Sequence, residues 1–133
     1  MRPLILCVDD DPLVLDVTRA ALERGGCRVL PAASGAEAIR ALEKSPEDVA
    51  LAILDLTVAD MRCAHVIARL KTLRPGLKIL LTSGYGRAAV PLQVSRKVEG
   101  FLAKPYLPRQ LVQRVEWLLR SVRPARTASG SGF

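Results

Sequence analysis

The chain reads as an α/β domain built on a doubly wound, five-stranded parallel sheet, and three observations lead there. Five apolar runs alternate with amphipathic or capped stretches. The runs consist mainly of Leu, Val, Ile and Ala, with only 4% aromatic residues in the whole chain, as suits parallel strands buried on both faces. Three of the runs end on charged residues: Asp9, Asp10 and Asp11, then Asp55, then Lys104. Strands separated by helices take right-handed crossovers, so their carboxyl ends converge on one crevice.

Leu4 to Val8 is the first strand, and Asp11-Pro12 supplies an N-cap acceptor followed by proline at the first helical position. The helix starting there offers Leu13, Val14, Val17 and Ala21 as its apolar face and stops at Gly25-Gly26. Arg28 to Ala32 is the second strand. Ser34-Gly35-Ala36-Glu37 then forms a capping box for a helix through about Lys44, which Ser45-Pro46 breaks. Val49 to Leu54 is the third strand, and Met61 to Leu73 the third helix, with Val66, Ile67 and Leu70 on one side. Pro75-Gly76 ends that helix, and Leu77 to Thr82 is the fourth strand, closing on Ser83-Gly84-Tyr85-Gly86. Arg87 to Glu99 is the weakest helix, expected to be short or mobile, because Pro91 lies inside it and apolar residues are sparse. Gly100 to Ala103 is the fifth strand and Lys104-Pro105 its exit. Pro108 to Val122 is the last helix, with Leu111, Val112, Val115, Leu118 and Leu119 at helical spacing.

A length of 133 residues is enough for one domain, expected over residues 1–122, with a disordered tail over 123–133 that has no periodicity. No apolar run reaches membrane-spanning length, so the expectation is a cytoplasmic protein without a membrane partner. Net charge is +7, but Arg109, Arg114, Arg120, Arg123 and Arg126 cluster near the C-terminus without interleaved aromatic residues. That is a solvated basic face rather than a nucleic-acid platform. Cys7, Cys27 and Cys63 have neither metal-cluster nor disulfide spacing and read as reduced thiols.

Adjacent carboxylates at a strand end repel each other, a cost that a cation offsets. Mg²⁺ suits the place, because it takes oxygen ligands and keeps several waters. Asp55 follows a wholly apolar strand, where a carboxylate must emerge at the mouth or be paired. Lys104 supplies a compact cation that can pair with it. Together these groups have the chemistry of a divalent metal holding a phosphoryl group on a carboxylate.

The blocks Val8-Asp9-Asp10-Asp11, Asp55, Leu81-Thr82-Ser83-Gly84-Tyr85 and Gly100-Phe101-Leu102-Ala103-Lys104-Pro105 resemble, in order and spacing, the signature of two-component response-regulator receiver domains. The resemblance runs from about residue 4 to residue 122. It implies a flavodoxin-like (βα)5 fold with strand order 2-1-3-4-5. It also implies a phosphoacceptor, not an enzyme acting on a separate substrate. Asp55 would take a phosphoryl group from the phosphohistidine of a sensor histidine kinase or a histidine phosphotransfer protein. Asp9, Asp10, Asp55 and the backbone carbonyl of Thr57 would hold Mg²⁺ or Mn²⁺, Asp9 mainly through water, while Asp11 only caps a helix. Lys104 would pair with Asp55 and then with the phosphoryl oxygens. Ser83 would move to the phosphoryl group, letting the aromatic switch residue Phe101 rotate inward. Thr57 and Tyr85 fall where family members tune dephosphorylation. The Lys104-Pro105 bond is commonly cis in this family. By the same resemblance the switched face would be helix 4, strand 5 and helix 5, read by a downstream protein that the sequence does not name.

The chain also departs from the family pattern. Val58-Ala59 stands where a Met-Pro pair is usual, and Cys63 where a Gly is, so a different path is expected for the loop after strand three. His65 lies well past Asp55 and reads as a surface residue. A Mg²⁺-dependent phosphatase of the haloacid-dehalogenase type is the rival from another class. It needs a second acid two residues after its nucleophile, where this chain has Thr57. A phosphorylation-independent pseudo-receiver scaffold would not need the intact acid, hydroxyl and lysine set. A DNA-binding regulator would need an output module beyond residue 122, where the sequence reads as tail. The turn Thr82-Ser83-Gly84-Tyr85 with Lys104-Pro105-Tyr106 resembles receivers attached to hybrid histidine kinases.

Overall fold

A strand buried on both faces sends alternate side chains into two separate cores, and β1 (Leu4–Val8) and β3 (Leu51–Asp55) do so. Leu4, Leu6, Val8, Ala52 and Leu54 join one hydrophobic cluster; Ile5, Cys7, Leu51 and Ile53 join the other. With β2 (Arg28–Ala32), β4 (Lys78–Ser83) and β5 (Gly100–Ala103) they form a five-stranded parallel sheet of order β2-β1-β3-β4-β5. This computed structural model describes residues 2–58 and 60–121. Ala59, Val122 and the tail expected over 123–133 lie outside the described residues.

The first cluster is closed by α2 (Gly35–Lys44) and α3 (Cys63–Leu73), through Ala38, Ile39, Leu42, Val66, Ile67 and Leu70. The second is closed by α1 (Pro12–Arg24) and α5 (Pro108–Arg120), through Leu22, Leu111, Val115 and Leu118. The starts of α1 and α2 fall where local chemistry puts them. The Asp11 carboxylate accepts from Leu13 N at 3.0 Å, and Ser34 Oγ accepts from Glu37 N at 3.0 Å. The box at Ser34 closes differently from the usual pattern, since Glu37 reaches back to the amide of Ala33 rather than of Ser34.

Three expectations need correction, and the weakest helix proves short. The buried face of α1 is Thr18, Ala21 and Leu22, while Leu13 is 71% and Val17 52% exposed. The true stripe runs through Thr18, a polar residue that apolar counting skips. The weak helix over Arg87 to Glu99 shrinks to a 3₁₀ turn at Arg87–Ala89 and a single-turn α4 (Leu92–Ser95), with Pro91 at the N-cap, where its missing N–H costs nothing. β3 begins two residues later than Val49 and includes Asp55, and β4 runs through Ser83. Helix α3 starts at Cys63 rather than Met61, because the preceding residues belong to the loop leaving β3.

Candidate acidic site at the strand ends

The strand order reverses between β1 and β3, and in an open parallel sheet that switch point opens a crevice at the carboxyl ends. Val8 pairs with Leu54 and Asp55 with Thr82, so Asp9 and Asp55 leave their strands at one level. Side-chain parity then decides which groups meet. Asp9 continues the Ile5, Cys7 series, Asp55 the Leu51, Ile53 series, and Lys104 follows Leu102, all on the α1/α5 face. The structure joins them: Lys104 Nζ lies 3.0 Å from Asp55 Oδ2 and 3.1 Å from Asp9 Oδ2.

Carboxylate oxygens of Asp9, Asp10 and Asp55 lie within 4.8 Å of one another. Asp9 and Asp55 are buried and Asp10 is exposed. Three carboxylates against one ammonium leave an excess of negative charge, and an all-oxygen donor set is what a hard divalent cation takes. Burial would lower the pKa of Lys104, but hydrogen bonds and charge from Asp55 and Asp9 outweigh it and hold the ammonium above the ordinary lysine value.

Thr57 binds the opposite side of the Asp55 carboxylate. Its backbone N and its Oγ1 each donate to Asp55 Oδ1 at 3.0 Å. Both oxygens of Asp55 are thereby engaged, Oδ1 by Thr57 and Oδ2 by Lys104. The chain beyond is tied to the sheet by Leu56 N donating to Thr82 O at 2.8 Å.

The hydroxyl of Ser83 is elsewhere. Its residue is fully buried, its parity follows Ile79 and Leu81 toward the α2/α3 face, and its Oγ accepts from Tyr85 N at 3.0 Å. Phe101 is half-buried against that same cluster, so Ser83 and Phe101 share one face of the sheet. Tyr85 is 74% exposed at the rim. The Lys104-Pro105 bond is cis. His65 is exposed on α3. Of the departing residues, Val58 is buried in the first cluster and Cys63 is half-buried, its thiol pushed up to about 11 by burial and by the charge of Asp55.

Two contacts escaped sequence reading. Lys104 holds Asp9 as well as Asp55. Asp60 accepts from Gly35 N at 2.8 Å and Ala36 N at 3.0 Å, at the start of α2. No local signal points to the second, since its partners lie about 25 residues away in the chain.

Residues 5–116 match the family model for the response regulator receiver domain, and the chain belongs to that family. It is 32% identical over 124 residues to the transcriptional regulatory protein GlrR of Escherichia coli K12, covering 91% of this chain and 27% of GlrR. It is 29% identical to the probable transcriptional regulatory protein TcrX of Mycobacterium tuberculosis, spanning 96% of this chain and 54% of that protein. Sensor kinase CckA of Brucella abortus is 29% identical over 116 residues, 86% of this chain and 12% of CckA. The chain thus spans about half or less of these relatives. Among solved structures, a CheY-like receiver domain protein of Methanospirillum hungatei superposes with a TM-score of 0.79 at 31% identity, covering 90% of this chain and 94% of that one.

Proposed function

We propose that this receiver domain is a phosphoacceptor in two-component or phosphorelay signalling, with Asp55 as the residue that carries the phosphoryl group. The observation that carries the reading is the Asp55 carboxylate, buried at a strand end, held on one oxygen by Thr57 and on the other by Lys104, with Asp9 and Asp10 beside it. A response regulator of Burkholderia pseudomallei, 26% identical and covering 90% of this chain and 76% of its own, was crystallised with a phosphorylated aspartic acid and a calcium ion. That relative supports the same chemistry here.

In this reading an Asp55 oxygen forms a bond to phosphorus as the N–P bond of a partner's phosphohistidine breaks, and the leaving imidazole keeps the electron pair and takes a proton. A partner presenting that histidine is a sensor kinase or a histidine phosphotransfer protein. Thr57 fixes the carboxylate before attack, and Lys104 passes from the two carboxylates to the new phosphoryl oxygens. Asp9, Asp10, Asp55 and the Thr57 carbonyl would hold Mg²⁺, which supplies positive charge against the phosphoryl oxygens. Ser83 would turn from Tyr85 N to the phosphoryl group, and Phe101 would follow on the face the two residues share. Thr57 and the exposed Tyr85, at positions where family members tune dephosphorylation, would set how readily water reaches the phosphoryl group.

Amide NMR during a Mg²⁺ titration tests the metal part. Shifts centred on Asp10, Asp55 and Thr57 are expected. A spectrum unchanged there at millimolar Mg²⁺ contradicts the reading.

A further inference from the structure

We propose that Asp60 is a positioning residue for the chemistry at Asp55, a reading that rests on the phosphoacceptor role proposed above. The loop from Leu56 to Arg62 contains no proline, so contacts and not covalent geometry must hold its path. Its first half is fixed at the site: Leu56 N bonds to Thr82 O, and Thr57 bonds to Asp55 Oδ1 through both N and Oγ1. Its second half is fixed by Asp60, whose two carboxylate oxygens take the amides of Gly35 and Ala36. Those amides and that of Glu37, which bonds to Ser34 Oγ, have no acceptor within the helix and lie at the positive end of α2, where a carboxylate is favoured. Gly35 makes the approach possible: a Cβ there would lie 2.8 Å from Val66 Cγ2 and 3.2 Å from Asp60 Oδ1. The loop is thus held at both ends, and between them Val58, next to Thr57, is buried in the first cluster with its N donating to Asp55 O at 3.2 Å.

Without the Asp60 latch the loop keeps its sheet anchor and the Val58 contacts but loses the restraint on its far half, which adds to those that place the two donors of Thr57. Misplacing a reacting group slightly is costly, on the order of a hundredfold in rate for about 1 Å. A loosened clamp should cost less, about three- to thirtyfold.

The test compares phosphoramidate-driven labelling rates in wild type, Asp60→Ala, Asp60→Asn and Ser34→Ala. Ser34→Ala removes the other cap of the same helix and leaves the loop alone, so it controls for α2 stability. Asp60→Ala should label about three- to thirtyfold more slowly, Ser34→Ala like wild type, and Asp60→Asn, which keeps one acceptor oxygen, between the two. The Thr57 amide resonance should move in Asp60→Ala and stay in Ser34→Ala. Should Asp60→Ala fail to fold, Asp60→Asn against Ser34→Ala decides. Equal rates for the Asp60 and Ser34 variants overturn the proposal while wild-type labelling stands. A wild type that does not label at all overturns the phosphoacceptor reading itself.

Discussion

Lys104 and Asp55, 49 residues apart in the chain, meet through a 3.0 Å contact between Nζ and Oδ2 at the mouth of the sheet. The same ammonium reaches Asp9 at 3.1 Å, so one cation stands between two buried carboxylates. Removing it leaves both without a cation at the price of their mutual repulsion. Lys104→Met should therefore destabilise the metal-free protein by about 2 kcal/mol, below the range for fully buried pairs because the lysine is partly exposed. Urea unfolding at neutral pH measures this, and a variant as stable as wild type contradicts the pairing.

Asp10 lies in the same cluster but is exposed and has no cation among the described residues. It adds negative charge beside Asp9 and Asp55, which a bound cation would offset. Asp10→Asn should raise metal-free stability by about 0.5 kcal/mol and, on the metal-binding role proposed above, show a smaller gain in stability in millimolar Mg²⁺ than wild type. Loss of stability together with an unchanged response to Mg²⁺ would place the metal elsewhere.

The Asp60 carboxyl is held below its ordinary value of 3.8 by hydrogen bonds from the amides of Ala36 and Gly35, against a small opposing effect of burial. A lowered carboxylate pKa contributes stability that is present above the ordinary value and is lost as pH falls through the lowered one. The stability difference between wild type and Asp60→Asn should hold steady from neutral pH to about 5 and shrink at pH values below the ordinary carboxylate range. A difference that persists undiminished to pH 2 would rule out the charged cap.

The reach of sequence reading follows the reach of the interactions. Asp11 before Pro12 and Ser34 before Glu37 act within a few residues, and their places in the fold were legible for that reason. The convergence of Asp9, Asp55 and Lys104 followed from strand ends meeting at one crevice, whereas the strand order came only with the family resemblance. The face of α1 was misread because Thr18 is polar by name, although its side chain is buried, whereas Leu13 and Val17 are left in solvent by the neighbours they lack. Asp60 on the amides of Gly35 and Ala36 depends on where the loop leaves the sheet, which no spacing in the chain encodes. The length of α4 was legible only as weakness, through Pro91.

That weakness has a consequence for switching. Between β4 and β5 the backbone holds only a 3₁₀ turn and one turn of helix, with Gly86 at φ +82. A local change at Asp55 spreads through an element with two arrangements, and this segment has the least regular structure to lose. Hydrogen exchange with and without beryllofluoride, a phosphoryl mimic, should change most from Ser83 to Lys104. Changes confined to α1 and α2 would put the output surface elsewhere.

The phosphoacceptor role of Asp55 is tested most directly by intact-mass spectrometry after incubation with phosphoramidate and Mg²⁺. Wild type should gain one phosphoryl group, and Asp55→Asn, which keeps the shape but replaces the anionic nucleophile with a neutral amide, should gain none. Equal labelling of the variant would move the phosphorylated residue away from Asp55, and no labelling of either form would make the domain a phosphorylation-independent scaffold.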